Sequence, residues 1–140
     1  MAFATLCNCL ALRQATRKIT QIYDRHLAPA GLRITQYCIL SQLSRLGPLT
    51  INALADELIL DRTTLGRTMQ PLERDGLIAV ELCTEDRRAK KLRITENGEQ
   101  KLAEALPYWR QAQAELDGEF GAARAAALRA ELRALVAAAN

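Results

Sequence analysis

The sequence has few of the residues from which metal centres and disulfide frameworks are built. It contains one histidine, four cysteines and only 4% aromatic residues in 140 positions. Cys7 and Cys9 form a C-x-C pair, but no second pair follows, and a structural zinc site needs four well-spaced ligands. We therefore expect no metal and no cofactor, and we interpret the scattered cysteines first as free thiols that pack as small apolar side chains.

Catalytic motifs and long apolar runs are also missing. The chain has no G-x-S-x-G motif and no phosphate-binding glycine loop, and we find no set of nucleophile and base, so an enzyme is not predicted. No apolar run approaches the roughly 20 residues that cross a bilayer. Arg13 interrupts the N-terminal apolar segment, which therefore does not resemble a signal peptide. We expect a cytoplasmic protein with no membrane partner.

Charge is nearly balanced overall but uneven along the chain. The formal net charge of +3 does not by itself indicate a nucleic-acid partner. Residues 1–45 hold six Lys/Arg against one acid, whereas residues 95–140 hold five against seven. The segment from Arg87 to Arg93 contains five basic residues and no acid, which makes it a local positive feature.

Most of the chain repeats apolar residues at steps of three and four, the spacing typical of helices. Pro107 should bend the fifth predicted helix, and Gly118 and Gly121 mark a break before the last one. Thr35, Thr50, Asp61 and Thr95 are the predicted N-caps. The predicted helices are Phe3 to Leu27, Thr35 to Leu46, Ile51 to Leu60, Asp61 to Gly76, Thr95 to about Leu116, and Ala122 to Ala139.

Two runs between the central and C-terminal helices alternate apolar and polar residues. Leu77 to Leu82 and Lys90 to Ile94 therefore predict a β-hairpin with a basic tip, and Leu49-Thr50 is long enough only for a very short strand. The central pair of short helices is joined by a tight turn. The second of these helices buries Leu65, Met69 and Leu72 and is polar at its front, which favours a helix-turn-helix.

A helix-turn-helix followed by a basic hairpin is a winged helix, and this one resembles the MarR family of bacterial transcription regulators. The matching segments are LADELILDRTTLGRTMQPLERDGLI (Leu54 to Ile78), EDRRAKKLRIT (Glu85 to Thr95) and ENG (Glu96 to Gly98). The resemblance implies a mainly α fold with a small β-hairpin (α+β) in one domain, residues 1–140. Its winged helix would span about 34–95, and its dimerisation helices about 3–28 and 95–139.

The resemblance also implies a partner and a mode of binding. A homodimer would bind a pseudo-palindromic operator in double-stranded DNA, most often as a repressor. The front of the recognition helix would enter the major groove, and the wing would contact the minor groove and phosphates. A helical interaction module that never binds DNA is the rival interpretation. The implied DNA-binding residues are Arg62, Thr63, Thr64, Arg67, Arg87, Arg88 and Lys90.

The signal to which such a regulator responds is left open between two alternatives. Relatives commonly bind small, often aromatic or anionic effectors between the dimer helices and the winged domain. The candidates for that pocket here are Tyr23, His26, Tyr37 and Trp109, although each alone is more typical of a core. Another branch senses organic hydroperoxides through a cysteine that matches Cys9, but that branch has tyrosines where this chain has Arg13 and Ile34.

Overall fold

The computed structural model describes residues 2–82 and 90–139 and is mainly helical in these ranges. The small antiparallel sheet among the helices confirms the predicted fold class. In chain order the elements are α1 (Phe3–Leu6), α2 (Asn8–Leu27), a 3-10 turn (Ala28–Ala30), α3 (Ile34–Leu46), β1 (Leu49–Thr50), α4 (Ile51–Leu58), α5 (Arg62–Arg74), β2 (Ile78–Leu82), β3 (Lys90–Ile94), α6 (Glu96–Phe120) and α7 (Ala122–Ala138).

The sheet has the strand order β1-β3-β2, with β3 antiparallel to both neighbours. Leu82 lies opposite Lys90 at the end of the hairpin where residues 83–89 connect its strands, and Leu49 of the two-residue strand β1 pairs with Leu92. Side chains alternate along β3, so Leu92 is fully buried while its neighbour Arg93 is exposed. The sheet therefore closes one side of the core, and β3 begins with the exposed Lys90.

The main hydrophobic core lies inside the winged helix, between α3, α4, α5, the sheet and α6. The predicted inner face of α5 is confirmed, because Leu65, Met69 and Leu72 are all buried. A smaller cluster around Ile22 and Ala112 joins α2 to α6. The largest fully buried side chains are Leu27, Ile39, Leu40, Leu43, Leu54, Leu65, Leu72 and Leu92.

Three of the predicted N-caps are confirmed. The hydroxyl of Thr50 accepts a hydrogen bond from Ala53 N at 3.1 Å, and that of Thr95 accepts one from Gly98 N at 3.0 Å. Asp61 caps α5 in the same way. In each case the side chain reaches a free backbone N–H two or three positions on, so the interaction is readable from local sequence.

The predicted start of α3 at Thr35 was wrong. The helix begins at Ile34, with Arg33 in the N-cap position. The Gln36 side chain accepts a hydrogen bond from Arg33 N at 2.9 Å, and Asp24 Oδ1 accepts one from Ile34 N at 2.8 Å. Because Asp24 belongs to α2, this end of the helix is fixed by a tertiary contact that local spacing does not reveal.

The N-terminal helix is not the single helix from Phe3 to Leu27 that the spacing predicts. Cys7 has an extended backbone, with φ −81° and ψ 109°, and separates α1 from α2. Its Sγ accepts a hydrogen bond from Leu10 N at 3.3 Å, so the cysteine serves as the N-cap of α2. The apolar spacing continues across this break, which is why the periodicity did not show it.

Two other helix ends also differ from prediction. The fourth helix stops at Leu58, because Ile59 adopts the left-handed conformation with φ 54°. In contrast, α6 continues through Pro107 and past Gly118, and it ends at Phe120, with Gly121 as its C-cap. Buried residues of α6, including Ala105 and Ala112, pack on the body of the protein and hold the helix together across the proline.

The base of the wing is attached tightly to the start of α6. Thr95 N donates to Leu77 O at 3.0 Å, and the Thr95 hydroxyl donates to Gly76 O at 2.6 Å. Gly98 is buried against the same strand, and a Cβ at Gly98 would collide with the Leu77 carbonyl oxygen and the Ile94 side chain. This glycine allows the close approach that fixes α6 relative to the sheet.

Candidate nucleic-acid interface and effector grooves

The front of α5 is an exposed polar surface on a helix whose rear is buried. Its four predicted contact residues are exposed, and Leu65 and Met69 on the other face of the same turns pack into the core. Within the described residues neither Arg62 nor Arg67 forms a salt bridge or a side-chain hydrogen bond. Their guanidinium groups are therefore available for an outside partner. The exposed residues are Arg62, Thr63, Thr64 and Arg67.

Asp61 organises this front without blocking it. Its Oδ1 accepts from Thr64 N at 3.2 Å, and its Oδ2 accepts from the Thr64 hydroxyl at 3.1 Å. These hydrogen bonds, with a smaller contribution from the positive charge of Arg67, hold the pKa of the Asp61 carboxyl below its ordinary value. The Thr64 hydroxyl proton is thus already engaged, which leaves this exposed residue with acceptor capacity on its hydroxyl oxygen.

The wing is only partly described. Lys90 is exposed at the start of β3, and Lys91 beside it is half-buried opposite Glu81. The predicted tip residues Arg87 and Arg88 lie outside the described residues. Of the three DNA-binding residues predicted in the wing, the structure thus describes Lys90, at the start of β3.

A cleft between α3 and α5 adds residues that sequence reasoning missed. It has a volume of about 350 Å3 and lies beside the exposed front of α5. Arg33 precedes α3, so a guanidinium and a helix N-terminus face the recognition helix together. The sequence signal that could have found this cleft is a basic residue followed by Thr and Gln at the start of a helix. The sequence does not show that this helix start lies beside α5, because that depends on tertiary packing. The cleft is lined by Arg33, Thr35, Gln36, Arg67, Thr68 and Pro71.

An apolar groove of about 530 Å3, lined from α2, α3, α6 and α7, brings together two of the predicted effector residues, Tyr23 and Trp109. The Tyr23 hydroxyl donates to Gln113 Oε1. Burial, and then the charge of Asp117, raise the pKa of Tyr23, while Arg129 opposes the shift. The lining residues are Ala15, Lys18, Ile19, Tyr23, Ile34, Trp109, Gln113, Leu116, Phe120, Ala125, Leu128, Arg129 and Leu132.

The other effector candidates lie elsewhere. Tyr37 is buried in the main core and stacks on Trp109, with ring centroids 6.2 Å apart, and burial raises its pKa. His26 Nε2 is 3.4 Å from Glu115 Oε1, and Arg25 binds the same carboxylate at 2.8 Å. The Arg25 hydrogen bond, more than His26, lowers the pKa of Glu115. Arg25 and His26 thus connect α2 to α6 through Glu115. Neither His26 nor Tyr37 lines the apolar groove.

Cys9 lies on a second surface, which we call the arginine groove. This groove has a volume of about 770 Å3 and lies between the exposed side of α2 and the turn from α4 to α5. Cys9 is exposed, two residues beyond the half-buried Cys7. The lining residues are Cys9, Leu12, Arg13, Thr16, Arg17, Ile59 and Leu60.

Comparison with known proteins decides the family. A model of the MarR family matches residues 32–90. The transcriptional regulator MosR of M. tuberculosis, solved in a complex with DNA, is 37% identical, with a TM-score of 0.80 over 94% of this chain and 97% of MosR. The chain belongs to the MarR family. It is accordingly a DNA-binding transcriptional regulator, as the resemblance implied.

Two more distant structures share the fold of this MarR-family protein. Bordetella bronchiseptica BpsR, whose DNA binding is regulated by 6-hydroxynicotinic acid, is 22% identical, with a TM-score of 0.87 over 100% of this chain and 99% of BpsR. PcaV from Streptomyces coelicolor, solved with its natural ligand, is 18% identical, with a TM-score of 0.86 over 100% of this chain and 99% of PcaV. Both alignments include the outer helices as well as the winged helix.

The outer helices of this MarR-family protein leave much apolar surface uncovered. In α7, which has 17 residues, Ala125 is the buried one. In the ranges that the structure describes, no helix is both long and apolar enough to cross a membrane, and no cluster of side chains could hold a metal ion. The exposed apolar residues of α1, α2 and α7 are Phe3, Leu6, Leu12, Leu128, Leu132, Leu135 and Val136.

Proposed function

We propose that this regulator is a cytoplasmic homodimeric repressor, which binds a pseudo-palindromic operator and is released by a small, often aromatic or anionic effector. The observation that carries the proposal is the exposed front of α5, where two arginines lack partners in the described residues next to a rigid, buried helix face. A helix so arranged can insert into the major groove without rearranging the core.

The uncovered outer helices support the homodimer. A helix of 17 residues with one buried side chain gains little from packing within its own subunit. Leu128, Leu132 and Leu135 follow one another along α7 and are between 36% and 48% exposed. A twofold copy would cover this stripe and the still more exposed α1 through an isologous interface. It would also place two recognition helices about one turn of DNA apart.

The recognition helix and the wing have different proposed roles. Arg62 and Arg67 contact base edges, since a guanidinium can bind guanine bidentately. Thr63 donates to a phosphate, and Thr64 presents its methyl group to thymine because its proton is held by Asp61. Phosphates and the minor groove are contacted from the wing by Arg87, Arg88 and Lys90.

The cleft between α3 and α5 supports an additional phosphate contact. Arg33 and residues of the first turn of α3 line the same cleft as Arg67. A phosphate there would be held by the Arg33 guanidinium, which is a sequence-independent contact.

The apolar groove supports the effector part of the proposal. It combines the flat faces of Tyr23 and Trp109 with two cations, Lys18 and Arg129. Such a lining suits a small aromatic acid, whose ring is desolvated while its carboxylate meets a positive charge. BpsR, which shares the fold, responds to a ligand of this class. An effector here would contact α2, α6 and α7 at once and could alter how the winged helices are held.

The DNA proposal is tested by selecting operator sequences from a random pool and comparing variants by anisotropy. Arg67→Ala should relax sequence preference, whereas Arg87→Ala should weaken binding to all sequences about equally. Arg74→Ala is the matched control, since Arg74 lies at the far end of the same helix and pairs with Asp75. Equal losses on every sequence from both test variants would contradict the division of roles. Loss from the control would contradict the assigned surface.

Thiol-based sensing of organic hydroperoxides is the second candidate, and the exposure of Cys9 favours it. A Cys9 thiolate would attack the peroxide, the O–O bond would break, and a sulfenic acid and an alkoxide would form. Peroxide should then release DNA from the wild type and not from Cys9→Ser. If both proteins keep their DNA, the thiol is not the sensor, and small aromatic acids become the compounds to assay.

A further inference from the structure

The two adjacent threonines at the front of α5 differ in their hydrogen bonding. The Thr64 hydroxyl donates to Asp61 Oδ2 at 3.1 Å, while Asp61 Oδ1 accepts from Thr64 N at 3.2 Å. Thr63 is also exposed, but its hydroxyl forms no hydrogen bond with another described residue. The proton of the Thr63 hydroxyl can therefore rotate to suit a ligand, whereas that of Thr64 is held by Asp61.

The direction of the hydrogen bond between Thr64 and Asp61 is fixed, because an ionised carboxylate has no proton to donate. The side-chain hydrogen bond from Thr64, and then the backbone one, hold the pKa of the Asp61 carboxyl below its ordinary value, which keeps this group ionised at neutral pH. Towards a ligand, Thr64 Oγ1 can then only accept a hydrogen bond. A DNA phosphate is negatively charged and also only accepts, so it is a poor partner for this pair.

The major groove offers donors on two of the four bases. Adenine presents the N6 amino group where guanine has the O6 acceptor, and cytosine presents the N4 amino group where thymine has the O4 acceptor. We propose that Thr64, with its hydroxyl proton held by Asp61, selects a base with a major-groove amino group, adenine or cytosine, at one position of each operator half-site. The inference rests on the proposed insertion of α5 into the major groove. Asp61 is thus a positioning residue that sets which bases Thr64 accepts.

Asp61→Asn should reverse this selection without removing the cap of α5, because asparagine is about as good an N-cap as aspartate. Thr64 N still needs an acceptor, so the amide oxygen replaces Oδ1 and the amide nitrogen donates to Thr64 Oγ1. The Thr64 proton then points to the DNA and requires an acceptor. In operators selected from a random pool, wild type should prefer adenine or cytosine at one half-site position by about tenfold, and Asp61→Asn should prefer guanine or thymine there.

Two valine variants separate the threonines. Thr64→Val keeps the shape of the side chain and removes the hydroxyl, so it should abolish the preference at that position. Thr63→Val is the matched control on the neighbouring residue. It should weaken binding to all sequences and leave the preference for the amino-bearing base unchanged, because the Thr63 hydroxyl can donate as well as accept.

A change in the DNA tests the same contact on the wild-type protein. Purine in place of the selected adenine, or pyrimidin-2-one in place of the selected cytosine, removes the amino group alone and should lower the affinity about tenfold. This measurement decides if Asp61→Asn fails to fold. The inference is overturned if wild type and folded Asp61→Asn select the same base at every position, or if removal of the amino group leaves the affinity unchanged. In both cases the selected operator shows that the proposed function still stands, whereas a wild type that selects no sequence overturns both.

Discussion

Gly98 is the position at which we expect the smallest substitution to have the largest cost. An added Cβ would collide with the backbone carbonyl oxygen of Leu77 and with Ile94. The Leu77 oxygen already accepts a hydrogen bond from Thr95 N at 3.0 Å, and the Thr95 side chain is bonded to Gly76 O, so this strand end cannot retreat without breaking both bonds. Gly98→Ala therefore forces either the sheet or the start of α6 to move.

Two opposing effects set the magnitude. Alanine in place of a helical glycine normally stabilises a protein by about 0.5–1 kcal/mol. Overpacking against a fixed backbone costs about 1–3 kcal/mol, and displacing a backbone hydrogen bond costs about 1 kcal/mol more. We expect Gly98→Ala to lower the free energy of unfolding by about 2 kcal/mol, which for a domain of this size lowers Tm by about 4–8 °C.

Gly118→Ala in the same helix is the matched control. No other atom lies within 4 Å of a Cβ built at Gly118, and its φ is not in the left-handed region. Only the helix-propensity effect applies there, so we expect Gly118→Ala to stabilise by about 0.5–1 kcal/mol. Chemical denaturation and calorimetric melting of both variants at one protein concentration give the comparison. A Gly98→Ala protein as stable as Gly118→Ala would refute the packing argument.

Three further predictions concern single side chains. Ile59→Asn relieves a left-handed β-branched residue and should raise the unfolding free energy by about 0.5–1 kcal/mol, measured by urea denaturation; a clear loss would contradict the strain. Thr95→Ala removes a cap and should cost about 1–2 kcal/mol, whereas Thr16→Ala, with a hydroxyl bonded only to its own helix, should change stability by under about 0.5 kcal/mol. The pKa of the Glu115 carboxyl is lowered chiefly by its hydrogen bond with Arg25. The stabilisation that ionised Glu115 contributes is therefore present above the unfolded pKa of about 4.3, and it is lost as the pH falls through the lower folded pKa. Wild type should thus lose more stability than Glu115→Gln on acidification below about pH 4, and parallel pH profiles would contradict the ion pair.

Local sequence predicted the parts of the fold that depend on neighbours in the chain. Asp61 and Thr95 cap their helices through side chains that reach an N–H group within the first turn. The start of α3 could not be predicted in this way, because Asp24 supplies the acceptor from another helix. Cys7 was missed for a different reason, since a thiol is not a common N-cap and the apolar spacing continues across it.

The candidate site likewise has a part that local sequence predicts and a part that depends on tertiary packing. The exposure of Arg62 and Arg67 follows from helical periodicity, because the buried residues of α5 fix which side faces out. The effector residues depend on how α2, α3, α6 and α7 pack. Tyr23 and Trp109 do meet in one groove, whereas Tyr37 is buried beneath Trp109 and belongs to the core. Aromatic type alone could not separate these two positions.

The contacts between the winged helix and the outer helices differ in how closely they are packed. At the Gly98 joint, α6 meets the end of β2 through backbone contact and two hydrogen bonds, so little relative movement is possible there. At the arginine groove, α2 and the turn before α5 are separated by an open space of about 770 Å3. A movement of the recognition helix relative to α2 is therefore opposed least at the arginine groove, where no packed side chains have to separate.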